Sequence, residues 1–234
     1  MVFGRKAEAE PPSFAPVHWD TVSKFTIGAA SRPAAVRGAG PGPLAVRVEK
    51  RAGGATYLVP SVFVALTGSG EPAAASGFRL YEDEAGLRLL CSVTPDAEAD
   101  KDGGRRHRVQ DGRGREIGSV VRGPVAKRAV QHAWWLEQPD HPEVVARRHW
   151  AKGSAGQVLG RTVGKALGSV VGSVVGLGGD DSNTTRGTAK PVTWTSGEQV
   201  AMTSAPTEGR TWYLAQASWL DRRLAFALAV LREC

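Results

Sequence analysis

The sequence predicts a mainly β protein in which a closed antiparallel barrel surrounds a hydrophobic C-terminal helix. Short apolar runs separated by turn residues continue from His18 almost to the end of the chain. Two segments repeat a strand, a tight turn and a returning strand. The last stretch, SWLDRRLAFALAVLREC, changes to the Leu, Ala and Arg composition of a helix. Many short strands, repeated hairpins and one terminal apolar helix together indicate a barrel wrapped around that helix.

The strands are predicted from alternating apolar and polar residues bounded by Gly and Pro. Two stretches are predicted as loops from composition, SRPAAVRGAGPGP and TGSGEPAAASG. Residues 1–18 are predicted to be a disordered N-terminal segment, and residues 19–234 a single barrel domain that carries an insertion over 153–190. The predicted strand segments are WDTVSKFTIGAA, LAVRVEK, ATYLVPSVFVAL, GFRLYED, GSVVRGPV, KRAVQHAWWLEQPD, EVVARRHWA, PVTWTSGEQVAMTS and RTWYLAQAS.

Two Asp–Gly hairpins lie 28 residues apart, in RLYEDEAGLRLL and RVQDGRGREIG. Asp83 precedes Gly86 by three residues, and Asp111 precedes Gly114 by the same distance. An Asp side chain can bond the backbone of a turn, and Gly accepts the positive φ that a short hairpin often requires. We therefore expect two successive hairpins of one antiparallel sheet.

The C-terminal segment contains eight successive apolar residues, Leu224 to Leu231. Apolar residues on every face of a helix predict burial on all sides. Eight is well below the roughly 20 residues that a bilayer span needs, so a central helix surrounded by protein is expected. An ordinary helix on one sheet face is the alternative. Ser218 and Asp221 have the spacing of a capping box at its start.

A glycine zipper lies in GQVLGRTVGKALGSVVGSVVGLGG, where six glycines recur at intervals of four. Such spacing lets helices approach closely, and it predicts a packing seam or a helix that inserts in a membrane. A flexible linker is the alternative. The predicted helix-packing residues are Gly156, Gly160, Gly164, Gly168, Gly172 and Gly176.

Positive charge is concentrated in one part of the chain. The net charge is +7, and residues 101–165 hold 14 Lys/Arg against 6 Asp/Glu. A basic belt favours anionic partners, although a merely solvated surface is the alternative. Trp134 and Trp135 are candidates for a membrane interface or for ordinary barrel packing, and one of the two is expected to face outward. The candidate anion-binding residues are Arg105, Arg106, Arg108, Arg113, Arg115, Lys127, Arg128, Arg147 and Arg148.

Four segments, YEDEAGLRLL, VQDGRGREIGSVVR, WTSGEQVAM and WLDRRLAFALAVL, resemble the tubby-like C-terminal fold, especially its LURP-one-related and phospholipid-scramblase-like branch. The likeness runs from Thr21 to Leu231. It implies a closed antiparallel barrel of about twelve strands enclosing the C-terminal helix. Tubby proteins bind phosphoinositides through basic surface residues and scramblase-like members associate with membranes. The glycine zipper is outside the family pattern.

The sequence offers no catalytic, metal or cofactor signature. RTVGKALG departs from a phosphate-binding loop at Leu159 and Ala166, and the histidines lack metal-ligand spacing. The favoured function is therefore a non-enzymatic module that binds anionic phospholipid headgroups. The alternatives are an assembly protein that uses the zipper and, third, a nucleic-acid-binding protein. The first residues lack the apolar core of a signal peptide, which predicts a cytoplasmic protein, peripheral at the inner face of the membrane.

Overall fold

Twelve antiparallel strands form a closed barrel, which confirms the predicted fold class. The computed structural model describes residues 13–29, 42–68, 72–96, 104–124, 134–148, 191–207 and 209–234. Each strand pairs with its neighbours along the chain, and β1 pairs with β12 to close the sheet. The strands are β1 (Lys24–Gly28), β2 (Ala45–Ala52), β3 (Ala55–Leu66), β4 (Phe78–Tyr81), β5 (Leu89–Pro95), β6 (Arg105–Asp111), β7 (Glu116–Arg122), β8 (Trp134–Glu137), β9 (Val144–Arg148), β10 (Val192–Ser196), β11 (Gln199–Thr207) and β12 (Arg210–Ala215).

The helix α2 (Arg222–Glu233) occupies the interior of the barrel. All eight residues from Leu224 to Leu231 are buried, as the unbroken apolar run predicts. Phe226 meets Phe25 of β1 edge to face, with ring centroids 4.8 Å apart. The helix therefore supplies the core that the inward side chains of the strands pack against.

The start of α2 corrects the predicted capping box at Ser218. Asp221 is the N-cap, with extended backbone angles, and its carboxylate accepts the Arg223 N–H at 2.8 Å. The Asp221 N–H is bound by the Gln138 side-chain oxygen at 2.9 Å, and the Gln138 amide donates to the Trp219 carbonyl. Because Gln138 holds the chain on both sides of Leu220, the helix begins only after Asp221.

The barrel has two mouths, which we name by the end of α2 that faces them. The N mouth, beside the helix start, holds the tight connections between β2 and β3, β4 and β5, β6 and β7, β8 and β9, and β10 and β11. The C mouth, beside the helix end, is formed by the opposite ends of the strands. Residues 30–41, 97–103, 125–133 and 149–190 each connect two strands at that end. An up-and-down barrel makes this alternation unavoidable, because each strand reverses the direction of the chain.

Each mouth is partly closed by a short segment. Trp19, in a 3₁₀ turn (Trp19–Thr21), donates from Nε1 to Glu82 at 3.0 Å at the N mouth. Phe14 contacts Tyr57 and Val17 packs on the core, so these two residues of the predicted N-terminal segment have defined contacts with the barrel. At the C mouth, the predicted loop 67–77 contains a one-turn helix, α1 (Ala73–Ser76).

Both predicted Asp–Gly hairpins are present. The Asp83 carboxylate accepts the N–H groups of Leu87 and Arg88, and Gly86 has φ +72°. Asp111 accepts the N–H groups of Arg113 and Arg115 at 2.9 Å in the second turn. The backbone donors lower the pKa of both carboxyls below the ordinary value, because they stabilise the charged form.

Gly118 of β7 lets α2 approach the sheet. It has φ +145°, and a Cβ placed there would lie 2.2 Å from the Glu137 carbonyl oxygen and 3.0 Å from a Leu224 methyl. The strand pairing shifts by one residue beside it, between Val109 and Gln110. A glycine at this irregularity therefore replaces a side chain that would hold the helix away.

The predicted glycine-zipper residues Gly156, Gly160, Gly164, Gly168, Gly172 and Gly176 lie outside the described residues, as does the whole 153–190 insertion. In the ranges that the structure does describe, no helix combines the length and the apolarity needed to cross a membrane.

Candidate functional site

The charged side chains of the described residues divide unevenly between the two mouths when each is assigned to the nearer strand or helix end. With Glu137 and Glu84 counted beside Arg106 and Arg47, the arginines on which they act, the N-mouth half holds eight Lys/Arg and ten Asp/Glu, and the C-mouth half holds nine Lys/Arg and four Asp/Glu. The side chains described in these halves therefore carry formal charges of −2 and +5. The nine cations of the C-mouth half are Arg47, Arg79, Arg105, Arg106, Arg108, Arg122, Arg147, Arg210 and Arg232; Arg108, central in β6, is placed there with its partner Asp96.

The described residues of the predicted basic belt lie at both ends of the barrel. Arg105, Arg106 and Arg108 lie on β6, on the C-mouth side, and Arg147 and Arg148 lie on β9, also toward the C mouth. Arg113 and Arg115 lie in the β6–β7 turn, at the N mouth. Lys127 and Arg128 lie outside the described residues. The predicted set is therefore divided between opposite ends of the barrel.

Three of the predicted arginines contact carboxylates. Arg106 lies 2.5 Å from Glu137, Arg108 lies 2.6 Å from Asp96 and Arg115 lies 2.9 Å from Asp111. The Arg115 contact belongs to the hairpin turn, where Asp111 also binds two backbone N–H groups. We therefore expect Arg115 to be the least available for an external anion.

Three other predicted arginines have no carboxylate contact among the described residues. Arg105 donates to the Ala74 carbonyl at 3.3 Å, and Arg147 donates to the Gly197 carbonyl at 3.3 Å. Both are exposed, as is Arg113 at the tip of its turn. Neutral carbonyls leave the guanidinium charge uncompensated, so Arg105 and Arg147 are the strongest candidates in the C-mouth half.

The two adjacent tryptophans face opposite sides of β8, as predicted for a strand. Trp134 packs against the core, and the Arg122 guanidinium lies 5.3 Å from its ring centroid. Trp135 is on the outer wall, where its Nε1 donates to Glu137 at 3.1 Å. Glu137 also accepts from Ser119 and contacts Arg106. Trp135 is therefore part of a polar cluster that is anchored on β6, β7 and β8.

Arg47 of β2 was predicted only as a residue of a strand, but its side chain is 1% exposed. Its Nε donates to the Gly28 carbonyl at 2.8 Å, and its Nη2 donates to the carbonyls of Pro43 and Ala29 at 2.8 and 3.4 Å. Nη1 donates to the Leu58 carbonyl at 3.3 Å. A single guanidinium thus holds together the two chain ends that flank residues 30–41.

No carboxylate among the described residues contacts the Arg47 guanidinium. Burial lowers the pKa of its guanidinium, and the charge of Glu84 partly opposes that effect. Glu84 reaches this region because the strands are staggered. Tyr81 pairs with Phe63, which pairs with Ala45, so the β4–β5 turn is level with the beginning of β2.

Comparison of the chain with protein-family models, curated proteins and solved structures gave no match in any of the three. Over the described ranges, no group of three or more His, Cys, Asp or Glu side chains is placed to hold a metal ion. The described chemistry of the C mouth is that of guanidinium groups, which bind carboxylates and phosphates through paired N–H donors.

Proposed function

We propose that the protein is a non-enzymatic module that binds anionic phospholipid headgroups through the C mouth, as a peripheral protein of the cytoplasmic membrane face. The observation that carries the proposal is the division of charge, +5 against −2, between the two ends of the described barrel. An anionic surface attracts one end and repels the other, so it both binds and orients such a molecule.

The expected contributions follow from the contacts. Each Lys or Arg near an anionic surface contributes on the order of 1 kcal/mol. Exposed ion pairs are worth about 0.2–1 kcal/mol, so Arg106 and Arg108 can exchange their carboxylates for headgroups with little net gain. Arg105 and Arg147 give up only backbone carbonyls. We therefore expect these two to contribute most among the predicted residues.

Two features agree with this assignment. A twelve-stranded barrel around a terminal apolar helix is the architecture that the resemblance to the tubby-like, LURP-one-related and scramblase-like family implies. The strands β9 and β10 both meet residues 149–190 at the C mouth. The segment that carries the glycine zipper is therefore joined to the barrel at the same end as the basic surface.

Co-sedimentation with vesicles tests the proposal. Wild type is compared on phosphatidylcholine vesicles and on vesicles that contain phosphatidylserine, at ionic strengths for which the Debye length falls from about 30 to about 3 Å. The double variant Arg105→Gln/Arg147→Gln should lose about tenfold or more in affinity for the anionic vesicles. The control Arg51→Gln/Arg113→Gln removes the same charge from exposed positions of the N-mouth half.

Equal binding to neutral and anionic vesicles would refute the proposal. Equal losses of affinity for anionic vesicles in the two double variants would also refute it. Light scattering on the same samples tests the assembly alternative. A filter-binding assay with nucleic acid, in which binding also depends on Arg105 and Arg147, would assign the surface to the third function instead.

A further inference from the structure

A cavity of about 180 Å³ lies on the outer side of the barrel wall between β12, β1 and β2. Residues 26–29 of β1 and its following bend form one side, Arg47 and Leu58 form another, and Gly209 and Arg210 complete it. Sites for drug-sized ligands measure about 300–1,000 Å³. The cavity therefore suits a single small group rather than a whole nucleotide or a sugar chain.

Arg47 lines this cavity and keeps one N–H donor without an acceptor among the described residues. A guanidinium has five N–H groups, one on Nε and two on each terminal nitrogen. The hydrogen bonds to Gly28, Leu58, Ala29 and Pro43 use four of them. Among the described residues the remaining N–H, on Nη1, has no acceptor, and the side chain is 99% buried. The group cannot lose its charge by deprotonation at physiological pH.

Arg210 lines the same cavity from the beginning of β12. Its side chain makes no hydrogen bond or ion pair with any residue that the structure describes. Both guanidinium-bearing residues line one small cavity, and Arg47 is shielded from solvent. An anion between them would supply an acceptor that neither group has among the described residues.

We propose that the cavity between Arg47 and Arg210 is a binding subsite for a phosphate-type oxyanion, held by the unused N–H of Arg47 and the guanidinium of Arg210. The oxyanion is either the phosphomonoester of a lipid headgroup or a free phosphate. In the first case the subsite rests on the proposed function and gives it headgroup selectivity; in the second it is independent of membranes.

The experiment measures two kinds of binding with the same three proteins. Isothermal titration calorimetry with inorganic phosphate reports the subsite without lipid. Vesicles that contain phosphatidic acid, a phosphomonoester, are compared with vesicles of equal surface charge that contain phosphatidylglycerol, a phosphodiester. The proteins are wild type, Arg210→Gln and the charge-matched control Arg51→Gln, whose side chain is exposed on the N-mouth side.

We expect wild type to bind phosphate, Arg210→Gln to bind it about tenfold or more weakly, and Arg51→Gln to match wild type. Preference for phosphatidic acid that disappears in Arg210→Gln assigns the subsite to lipid; phosphate binding without that preference assigns it to free phosphate. Arg47→Lys, which keeps the charge but loses the planar fork, should weaken phosphate binding as well.

The subsite is overturned if wild type neither binds phosphate nor prefers phosphatidic acid, even where anionic vesicles still bind and the proposed function stands. It is also overturned if Arg210→Gln and Arg51→Gln lose the same phosphate affinity, because the loss then reflects only the change in net charge. A third outcome is that phosphate binding depends on Arg210 but the protein binds no vesicles of either kind. That outcome supports the subsite and refutes the proposed function.

Discussion

Replacement of Gly118 by Ala tests the close approach of α2 to β7. The new Cβ would lie 2.2 Å from the Glu137 carbonyl oxygen, a backbone atom that cannot rotate away. It would also lie 3.0 and 3.2 Å from the two methyl groups of Leu224. Relief requires a shift of β8 or of the helix. The residue after Glu137 is Gln138, whose side chain makes two hydrogen bonds at the start of α2. A shift of β8 would disturb both of these hydrogen bonds.

The expected loss has two parts. A non-glycine residue at φ +145° costs about 1–3 kcal/mol in backbone strain, because L side chains rarely adopt that conformation. The steric overlap costs about a further 1–3 kcal/mol, as for other overpacked cores. The sum, about 2–6 kcal/mol, is a large part of the 5–15 kcal/mol by which domains are typically stable.

Urea unfolding followed by tryptophan fluorescence measures this loss. Gly114→Ala is the matched control, because Gly114 has φ +78° but open space around its Cβ position, so only strain is added. Gly118→Ala should lose at least about 1 kcal/mol more than this control. In a Leu224→Ala background the cost should shrink but not disappear, because the Glu137 carbonyl remains. Equal losses for Gly118→Ala and Gly114→Ala would show that the helix does not press on β7 as described.

Three further predictions concern side chains. Arg47→Lys should lower the free energy of unfolding by about 2 kcal/mol or more, because one ammonium cannot serve all four carbonyls; an unchanged urea midpoint would contradict this. The lowered pKa of Asp111 means that its stabilisation is complete above the ordinary Asp value of about 3.9 and is lost as pH falls through the lower folded value. Asp111→Asn should therefore flatten the acid limb of the plot of urea midpoint against pH, and an unaltered slope would count against the turn contacts. Burial raises the pKa of Cys91 to about 12, so a thiol reagent near neutral pH should label the exposed Cys234 first and Cys91 only after unfolding; rapid labelling of both thiols would show that the core opens.

The parts of the fold that were predictable depend on local patterns. Asp83 and Asp111 each mark a turn because their carboxylates bond backbone groups a few residues away. The run from Leu224 to Leu231 marks the core because a helix that is apolar on all faces must be enclosed. In both cases the information is contained within a few turns of chain.

The candidate site was less predictable because it depends on residues distant in sequence. Arg105 and Arg113 are eight residues apart, but β6 runs from one mouth to the other between them and leaves the second in the turn at the opposite end. The separation of charge between the two mouths can be recognised only when the direction of every strand is known. Arg47 was missed because its acceptors come from three separate segments, and a strand position alone predicts an outward, solvated arginine.

The position of the core within the chain also constrains synthesis. Ribosomes release a protein from its N-terminus, and the residues that fill this barrel, Leu224 to Leu231, follow all twelve strands. The closing pair is equally late, since Lys24 of β1 pairs with Leu214 of β12. Eleven strands therefore emerge before the sheet can close or its apolar inner face can be covered. Long-range pairing of this kind folds slowly, and exposed strand edges favour aggregation. Nascent chains that stop before residue 224 should accordingly be strong substrates for chaperones and proteases, and release of the helix from the exit tunnel should end that exposure.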